Sequence, residues 1–114
     1  MSISYEDVGA NLRRIAISGR LDMEGTDSVG TQLVELAGAP KKGVVVDLSG
    51  VRFLASIGIR ALIQSAKAVE KRGGKMVLLV SQGSQVVMSL EATGIDQLIP
   101  MFTNDRDAEK AAVA

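Results

Sequence analysis

The chain has 114 residues, of which 46% are hydrophobic and 23% are charged, a balance typical of a folded domain rather than a disordered chain. Thirteen basic and thirteen acidic residues cancel to a formal net charge of zero, so no overall field attracts nucleic acid or an acidic membrane. The absence of Cys and His excludes disulfides, thiolate metal sites and histidine-based catalysis. We expect one domain over residues 1–114.

Neither the N-terminal residues nor the apolar runs predict targeting or membrane insertion. The first residues, MSISYE, lack both a basic segment and an apolar stretch, so no signal peptide is predicted. The apolar run at 76–80 is far shorter than the roughly 20 residues of a membrane-spanning helix. We expect a soluble, cytoplasmic protein that contacts neither membranes nor nucleic acid.

The N-terminal part of the chain predicts an antiparallel hairpin. Polar and apolar residues alternate over 2–6, which is typical of an edge strand. A turn is expected at 9–11 and a second strand over 12–18. Because the connection is so short, the two strands are expected to pair antiparallel.

The middle of the chain predicts two helices with a buried strand between them. Apolar residues at helical spacing predict a helix over 24–37, whose first turns Gly25 and Gly30 weaken. Three consecutive valines at 44–46 predict a strand covered on both faces. A clear apolar stripe then predicts a helix over 57–72.

The C-terminal part predicts two strands and two helices. The run 76–80 predicts a second buried strand, and Ser84 is expected to cap a helix that Gly94 ends. Residues 98–99 predict a short last strand that Pro100 truncates, and Asn104 is expected to cap a final helix. The order ββαβαβαβα predicts an α/β fold, a mixed sheet of four to five strands flanked by about four helices.

Sequence motifs for catalysis and phosphate binding are absent. The chain contains neither a G-x-x-x-x-G-K-[ST] loop nor a G-x-G-x-x-G turn after a strand, and one Tyr and two Phe offer few surfaces for stacking bases. Catalysis by carboxylates alone would require Asp22, Asp27 and Asp47 to lie close together. Acidic residues at such positions are more often caps and turn residues, so we predict no enzyme, cofactor or metal site.

Ser56 is the strongest candidate for a functional residue. A loop after the valine strand is predicted to carry it to the start of a helix, where free N–H groups and the helix dipole favour an anion. A phosphate there would add about 1.5 to 2 negative charges to an apolar patch of Met23, Leu54, Ile57 and Ile59. Binding through that patch would stop without unfolding.

A simple capping role for Ser56 is the alternative. Serine is common at the junction of a strand and a helix, where its hydroxyl accepts from a backbone N–H. For Ile57 and Ile59, the alternative to a contact surface is packing in the core. The apolar stripe of the helix predicted over 57–72 places Ile59 in the core and Ile57 away from it. Arg52 and Arg60 flank the serine and are expected to be solvated or to contact an added phosphate.

Two motifs resemble those of STAS domains, in particular of stand-alone anti-sigma factor antagonists. The first is Gly19-Arg20-Leu21-Asp22, similar to G-E-L-D. The second, D-L-S-G-V-R-F-L-A-S-I-G-I over 47–59, is similar to D-L-x-x-V-x-F-[MI]-D-S-[ST]-G-L. The resemblance spans nearly the whole chain, and the two motifs at this separation are more specific than either alone.

The resemblance implies a partner switch controlled by phosphorylation. The partner would be an anti-sigma factor that is also a serine kinase of the histidine-kinase-like ATPase type, and a phosphatase would reverse the modification. Aligned residue by residue, Ser56 is the phosphoacceptor and Asp22 contributes to the partner face. The predicted partner-binding residues are Asp22, Met23, Leu54, Ile57, Gly58 and Arg60.

Three positions depart from the family pattern. Ala55 replaces an aspartate, which alters what a kinase would recognise, and Ile57 replaces a second Ser or Thr, which leaves a single hydroxyl. Arg20 stands where G-E-L-D has glutamate and reverses the local charge. The altered D-S-[ST]-G motif and the apolar composition, with a mean hydropathy of +0.23, motivate a second hypothesis, a constitutive STAS-like scaffold subunit of a transporter or lipid-trafficking complex.

Overall fold

The computed structural model describes residues 2–114, which form a five-stranded mixed sheet with helices on both faces. The strands are β1 (Ser2–Val8), β2 (Leu12–Leu21), β3 (Gly43–Leu54), β4 (Lys75–Leu79) and β5 (Met101–Phe102). The α-helices are α1 (Met23–Ala37), α2 (Ser56–Lys71), α3 (Gln85–Thr93) and α4 (Asp105–Ala112). This architecture confirms the predicted α/β class and mixed sheet.

The strands lie in the sheet in their chain order, β1-β2-β3-β4-β5. β1 pairs with β2 antiparallel, which confirms the hairpin, and each later pair is parallel. Parallel neighbours require a crossover, and α1, α2 and α3 supply it after β2, β3 and β4. The carboxyl ends of the parallel strands therefore share one edge of the sheet.

Both faces of the central strand are buried, as the valine run predicted. Val44 and Val46 pack into a core formed with α1, α2 and α3, whereas Val45 points to the opposite face. There it packs with Ala108 and Ala112 of α4. Within residues 2–114, no helix combines the length and apolar character needed to cross a membrane.

Strand β3 is much longer than the predicted strand at 44–46. It continues to Leu54, so the expected loop before Ser56 shrinks to Ala55. Two irregularities in its register with β2, between Ala16 and Ser18 and between Gly19 and Arg20, allow a polar and glycine-containing segment to stay in the ladder. The prediction of a loop was wrong because side-chain periodicity does not report backbone pairing with a neighbouring strand.

The last strand was also predicted at the wrong place. Residues Ile95–Gln97 form a 3₁₀ turn after Gly94, which ends α3 with φ of 76° as predicted. The strand is Met101–Phe102, on the other side of Pro100. Pro100 lacks an N–H but its carbonyl accepts from Leu78, so pairing begins at the proline instead of ending there.

Candidate functional site

Two helices start side by side at the edge where β2 and β3 end. Leu21 pairs with Leu54 in the parallel register, and the backbone N–H of Ala55 donates to the carbonyl oxygen of Leu21 at 3.0 Å. The next residue in each segment, Asp22 or Ala55, is the N-cap of its helix. Because the strands are parallel, both helix N-termini open at the same surface, where α/β domains commonly meet ligands and partners.

Ser56 is the first residue of α2 and is exposed. The N-cap position belongs to Ala55, which has no side-chain oxygen and makes no side-chain capping bond. The structure therefore decides against the capping interpretation of Ser56. Its hydroxyl group lies at the surface and is not committed to the helix cap.

The start of α2 differs from the other α-helix starts in the described part of the chain. Asp22, Ser84 and Asn104 each accept a hydrogen bond from a backbone N–H in the first turn of α1, α3 and α4. α2 has neither such a bond nor an acidic residue in its first turn. Its unpaired N–H groups and the positive end of its dipole thus lie beside Ser56.

The carboxylate of Asp22 is held from two sides. Oδ1 accepts from the backbone N–H of Gly25 at 2.9 Å, and Oδ2 lies 3.4 Å from Nε of Arg20. The Gly25 N–H, followed by the Arg20 guanidinium, lowers the pKa of Asp22 below its ordinary value. Asp22 is therefore ionised at neutral pH, with one oxygen fixed as a helix cap.

Arg20 stacks on an aromatic ring beside this carboxylate. Its guanidinium carbon lies 4.5 Å from the centroid of the Phe53 ring, and the two residues are register partners in β2 and β3. The sequence did not suggest this contact, because Phe53 was assigned to a loop. Extending the strand prediction through Leu54 would have placed the two side chains together.

The predicted apolar patch is smaller than expected. Met23, the first residue of α1, is 69% exposed, and Ile57 is half-buried. Leu54 is only 3% exposed and Ile59 7%, and both belong to the core under the three helices. Leu54 is thus corrected from a partner-binding residue to one that supports the surface from beneath.

Gly58 also lies beneath the surface that it was predicted to join. It is buried where α2 crosses the end of β2, and a Cβ built on it would lie 2.8 Å from the carbonyl oxygen of Leu21. The missing side chain lets the first turn of α2 approach the β2 backbone. Gly58 therefore positions Ser56 and does not itself offer a contact surface.

A shallow groove of about 310 Å³ runs between α1 and α2 next to Ser56. Ile57 and Arg60 of α2 and Asp27 of α1 line it, with the small residues Gly30 and Ala61. Arg60 is exposed, as expected for a surface residue. Of the predicted residues, Ile57 and Arg60 therefore line the groove, whereas Met23 and Ser56 lie at the adjacent starts of α1 and α2.

The three candidate carboxylates do not converge. Asp47 pairs with Ala16 in the register of β2 and β3, whereas Asp22 follows the end of β2, six residues beyond Ala16, a separation of about 20 Å. The alternative of a catalytic cluster of Asp22, Asp27 and Asp47 is therefore wrong. Among residues 2–114, no group of three or more His, Cys, Asp or Glu side chains is arranged to hold a metal ion.

Most of the chain matches a known domain family. The family model described as the STAS domain matches residues 7–108. The chain belongs to the STAS domain family. A curated relative, the anti-sigma-F factor antagonist RsfB of Mycobacterium tuberculosis, is 27% identical over 95 residues, which are 82% of this chain and 75% of the relative.

Solved structures share the fold of this STAS domain. An anti-sigma factor antagonist from Mycobacterium paratuberculosis has a TM-score of 0.87 at 22% identity, covering 99% of this chain and 94% of its own. The Bacillus cell fate determinant SpoIIAA in its phosphorylated form has a TM-score of 0.68 at 14% identity (96% and 99% covered). A sulfate transporter family protein from Wolinella succinogenes has a TM-score of 0.70 at 20% identity (94% and 88% covered).

Restoring a cap at Ala55 is expected to stabilise this STAS domain. Ala55 has the extended φ and ψ (−94° and 169°) of a capping residue, so Ala55→Asp can accept from a first-turn N–H without moving the backbone. We expect a gain of about 0.5 to 2 kcal/mol in the free energy of unfolding, measured by urea denaturation. Ala55→Asn supplies a capping oxygen without the charge, so it separates the two contributions. If neither variant is more stable than wild type, the conclusion that α2 lacks a cap is wrong.

The charge of Asp22 is expected to stabilise the STAS domain only above acidic pH. Since its pKa is lower in the folded than in the unfolded state, the stabilisation is complete above the unfolded pKa of about 4 and is lost as the pH falls through the folded value. Asp22→Asn keeps a capping oxygen but removes the charge. The difference in unfolding free energy between wild type and variant should be constant from pH 7 to pH 5 and should shrink below pH 4; a constant difference down to pH 2.5 would contradict this.

Proposed function

We propose that this STAS domain is an anti-sigma factor antagonist controlled by phosphorylation of Ser56. The unphosphorylated form binds an anti-sigma factor that is also a serine kinase, and the sigma factor is released. Phosphorylation ends this binding, and a serine phosphatase restores it. The curated relative named as an anti-sigma-F factor antagonist supports the class of partner.

The observation that carries the proposal is the exposed Ser56 hydroxyl at an uncapped helix start. A kinase can reach this oxygen because it is not buried and does not cap α2. Transfer of the γ-phosphoryl group of ATP would form the bond to Oγ, release ADP and leave one proton to a base. We assign that base to the kinase, whose catalytic loop accepts the proton of the substrate hydroxyl.

A phosphate at this place would change the surface without unfolding the domain. The dianion would lie near the unpaired N–H groups and the positive dipole end of α2, which favour it. It would also lie beside the exposed Met23 and the half-buried Ile57. A partner that covers these apolar side chains would have to desolvate the phosphate, and that cost opposes binding.

Incubation with the serine kinase of the same host tests the proposal. We expect purified wild-type protein to gain one phosphate in the presence of ATP and Mg²⁺, with fragment mass spectrometry locating it on Ser56. Ser56→Ala should remain unmodified. Phosphorylation of another residue, or none by any anti-sigma factor kinase of the host, would contradict the mechanism.

A constitutive scaffold is the second candidate function. The fold shared with a sulfate transporter family protein and the replacement of the family aspartate by Ala55 favour it. A scaffold would remain bound to a membrane transporter whether or not residue 56 is charged. Co-purification with such a transporter, unchanged in Ser56→Asp, would favour the scaffold over the switch.

A further inference from the structure

We propose that Arg20 selects the partner by binding an acidic side chain of the protein that docks at Ser56. The inference rests on the proposed function and adds the chemistry of the partner surface. It concerns a hollow of about 370 Å³ at the carboxyl end of β2, called here the Arg20 hollow. Arg20, Asp22, Glu24 and Arg52 supply its charged lining.

The guanidinium of Arg20 has two contacts within the chain. Its plane is supported by the Phe53 ring at 4.5 Å, and its Nε lies 3.4 Å from Asp22 Oδ2. Within residues 2–114, its two terminal nitrogens have no ion-pair or hydrogen-bond partner. These terminal N–H groups therefore remain available as a fork that matches the two oxygens of a carboxylate.

The charged hydrogen-bond donors left free in the hollow belong to arginines. Asp22 is occupied by the Gly25 N–H and by Arg20. Arg52 is exposed and, within the described residues, forms no ion pair. Glu24 lies at the same hollow and is the one opposing charge that is not engaged there. The two guanidinium groups and the two carboxylates cancel in formal charge, but both oxygens of Asp22 are engaged, whereas the terminal N–H groups of Arg20 and the guanidinium of Arg52 are not. These free donors match the oxygens of an acidic group.

The Arg20 hollow is close enough to Ser56 for one partner to cover both. Arg20 pairs with Phe53, which precedes Ser56 by three residues, a distance of about 10 Å along the chain. A standard protein interface buries about 800 Å² on each partner, so it extends well beyond 10 Å from its centre. An interface of this size centred near Ser56 therefore reaches Arg20.

Binding of the full chain to the purified anti-sigma factor kinase of its host tests the inference. Arg20→Glu should weaken binding at least 10-fold at 50 mM salt, with a smaller loss at 500 mM salt because the interaction is electrostatic. Arg20→Lys keeps the charge but loses the fork and should give an intermediate loss. Arg106→Glu, an exposed arginine on α4, is the matched control and should bind like wild type.

The outcomes separate this inference from the proposed function. If Ser56→Asp abolishes binding while Arg20→Glu stays within twofold of wild type, the switch stands and the role of Arg20 is wrong. If 20 mM inorganic phosphate displaces the partner from wild type and from Arg20→Glu equally, the hollow does not hold a partner carboxylate. If wild type binds no anti-sigma factor kinase, both proposals fail. Melting temperatures of all variants exclude unfolding as the cause of a loss.

Discussion

Ser56→Asp is expected to weaken binding to the anti-sigma factor kinase about 100-fold, or about 2.7 kcal/mol, and to leave the fold intact. The carboxylate would have to lose its hydration against a partner that also covers Met23 and Ile57, and that cost opposes binding. Asp at the first helical position also complements the dipole of α2, so the variant should be as stable as wild type or slightly more stable. Calorimetry of binding and thermal unfolding measure the two effects.

Ser56→Asn is the matched control for this experiment. It has nearly the size of Asp but no charge, so binding should remain within a few-fold of wild type. Equal losses in both variants would mean that the surface around Ser56 rejects bulk instead of charge. Full binding by Ser56→Asp would remove the basis for a phosphorylation switch.

Gly58→Ala is expected to destabilise the domain by about 1 to 3 kcal/mol, although alanine normally favours a helix by about 1 kcal/mol over glycine. The new Cβ would lie 2.8 Å from the carbonyl oxygen of Leu21 and 2.9 Å from Leu54 Cδ1. To relieve these contacts, α2 must move away from β2 and strain the hydrogen bond from Ala55 to Leu21. We expect the melting temperature to fall by about 4 °C per kcal/mol.

Gly30→Ala provides the matched control for the Gly58 substitution. Gly30 also lies inside a helix, but a Cβ there meets only Thr26 Cγ2 at 3.7 Å, an ordinary contact. This variant should therefore gain about 1 kcal/mol from helix propensity. Equal stabilisation by both substitutions would show that α2 does not pack against β2 as tightly as the structure indicates.

Much of the fold was predictable because local sequence signals were consistent with it. Ser84 and Asn104 cap α3 and α4 as expected, and Gly94 ends α3 in the left-handed conformation. The antiparallel hairpin followed from a turn too short for any other connection. These features depend on a few neighbouring residues, so their physical cause is contained in a short stretch of sequence.

The composition of the candidate site was only partly predictable. The sequence placed Ser56 at a helix start, yet it also placed Leu54 and Gly58 on the partner surface, and both are buried. Apolar residues next to a functional serine serve equally well as a contact patch or as core. Only the position of α1 and β2 over them distinguishes the two roles.

By itself, the sequence determined the α/β class, the order of most elements, the family motifs and Ser56 as the residue to test, because caps and hydrophobic periodicity are local properties. The tertiary structure decided how far β3 extends, which helix lacks a cap and which side chains of the candidate site lie at the surface. Pairing with β2 draws residues 47–54 into the sheet and places Phe53 under Arg20. Such contacts join residues more than 30 positions apart, and backbone hydrogen bonds between strands leave no periodic signal in either segment.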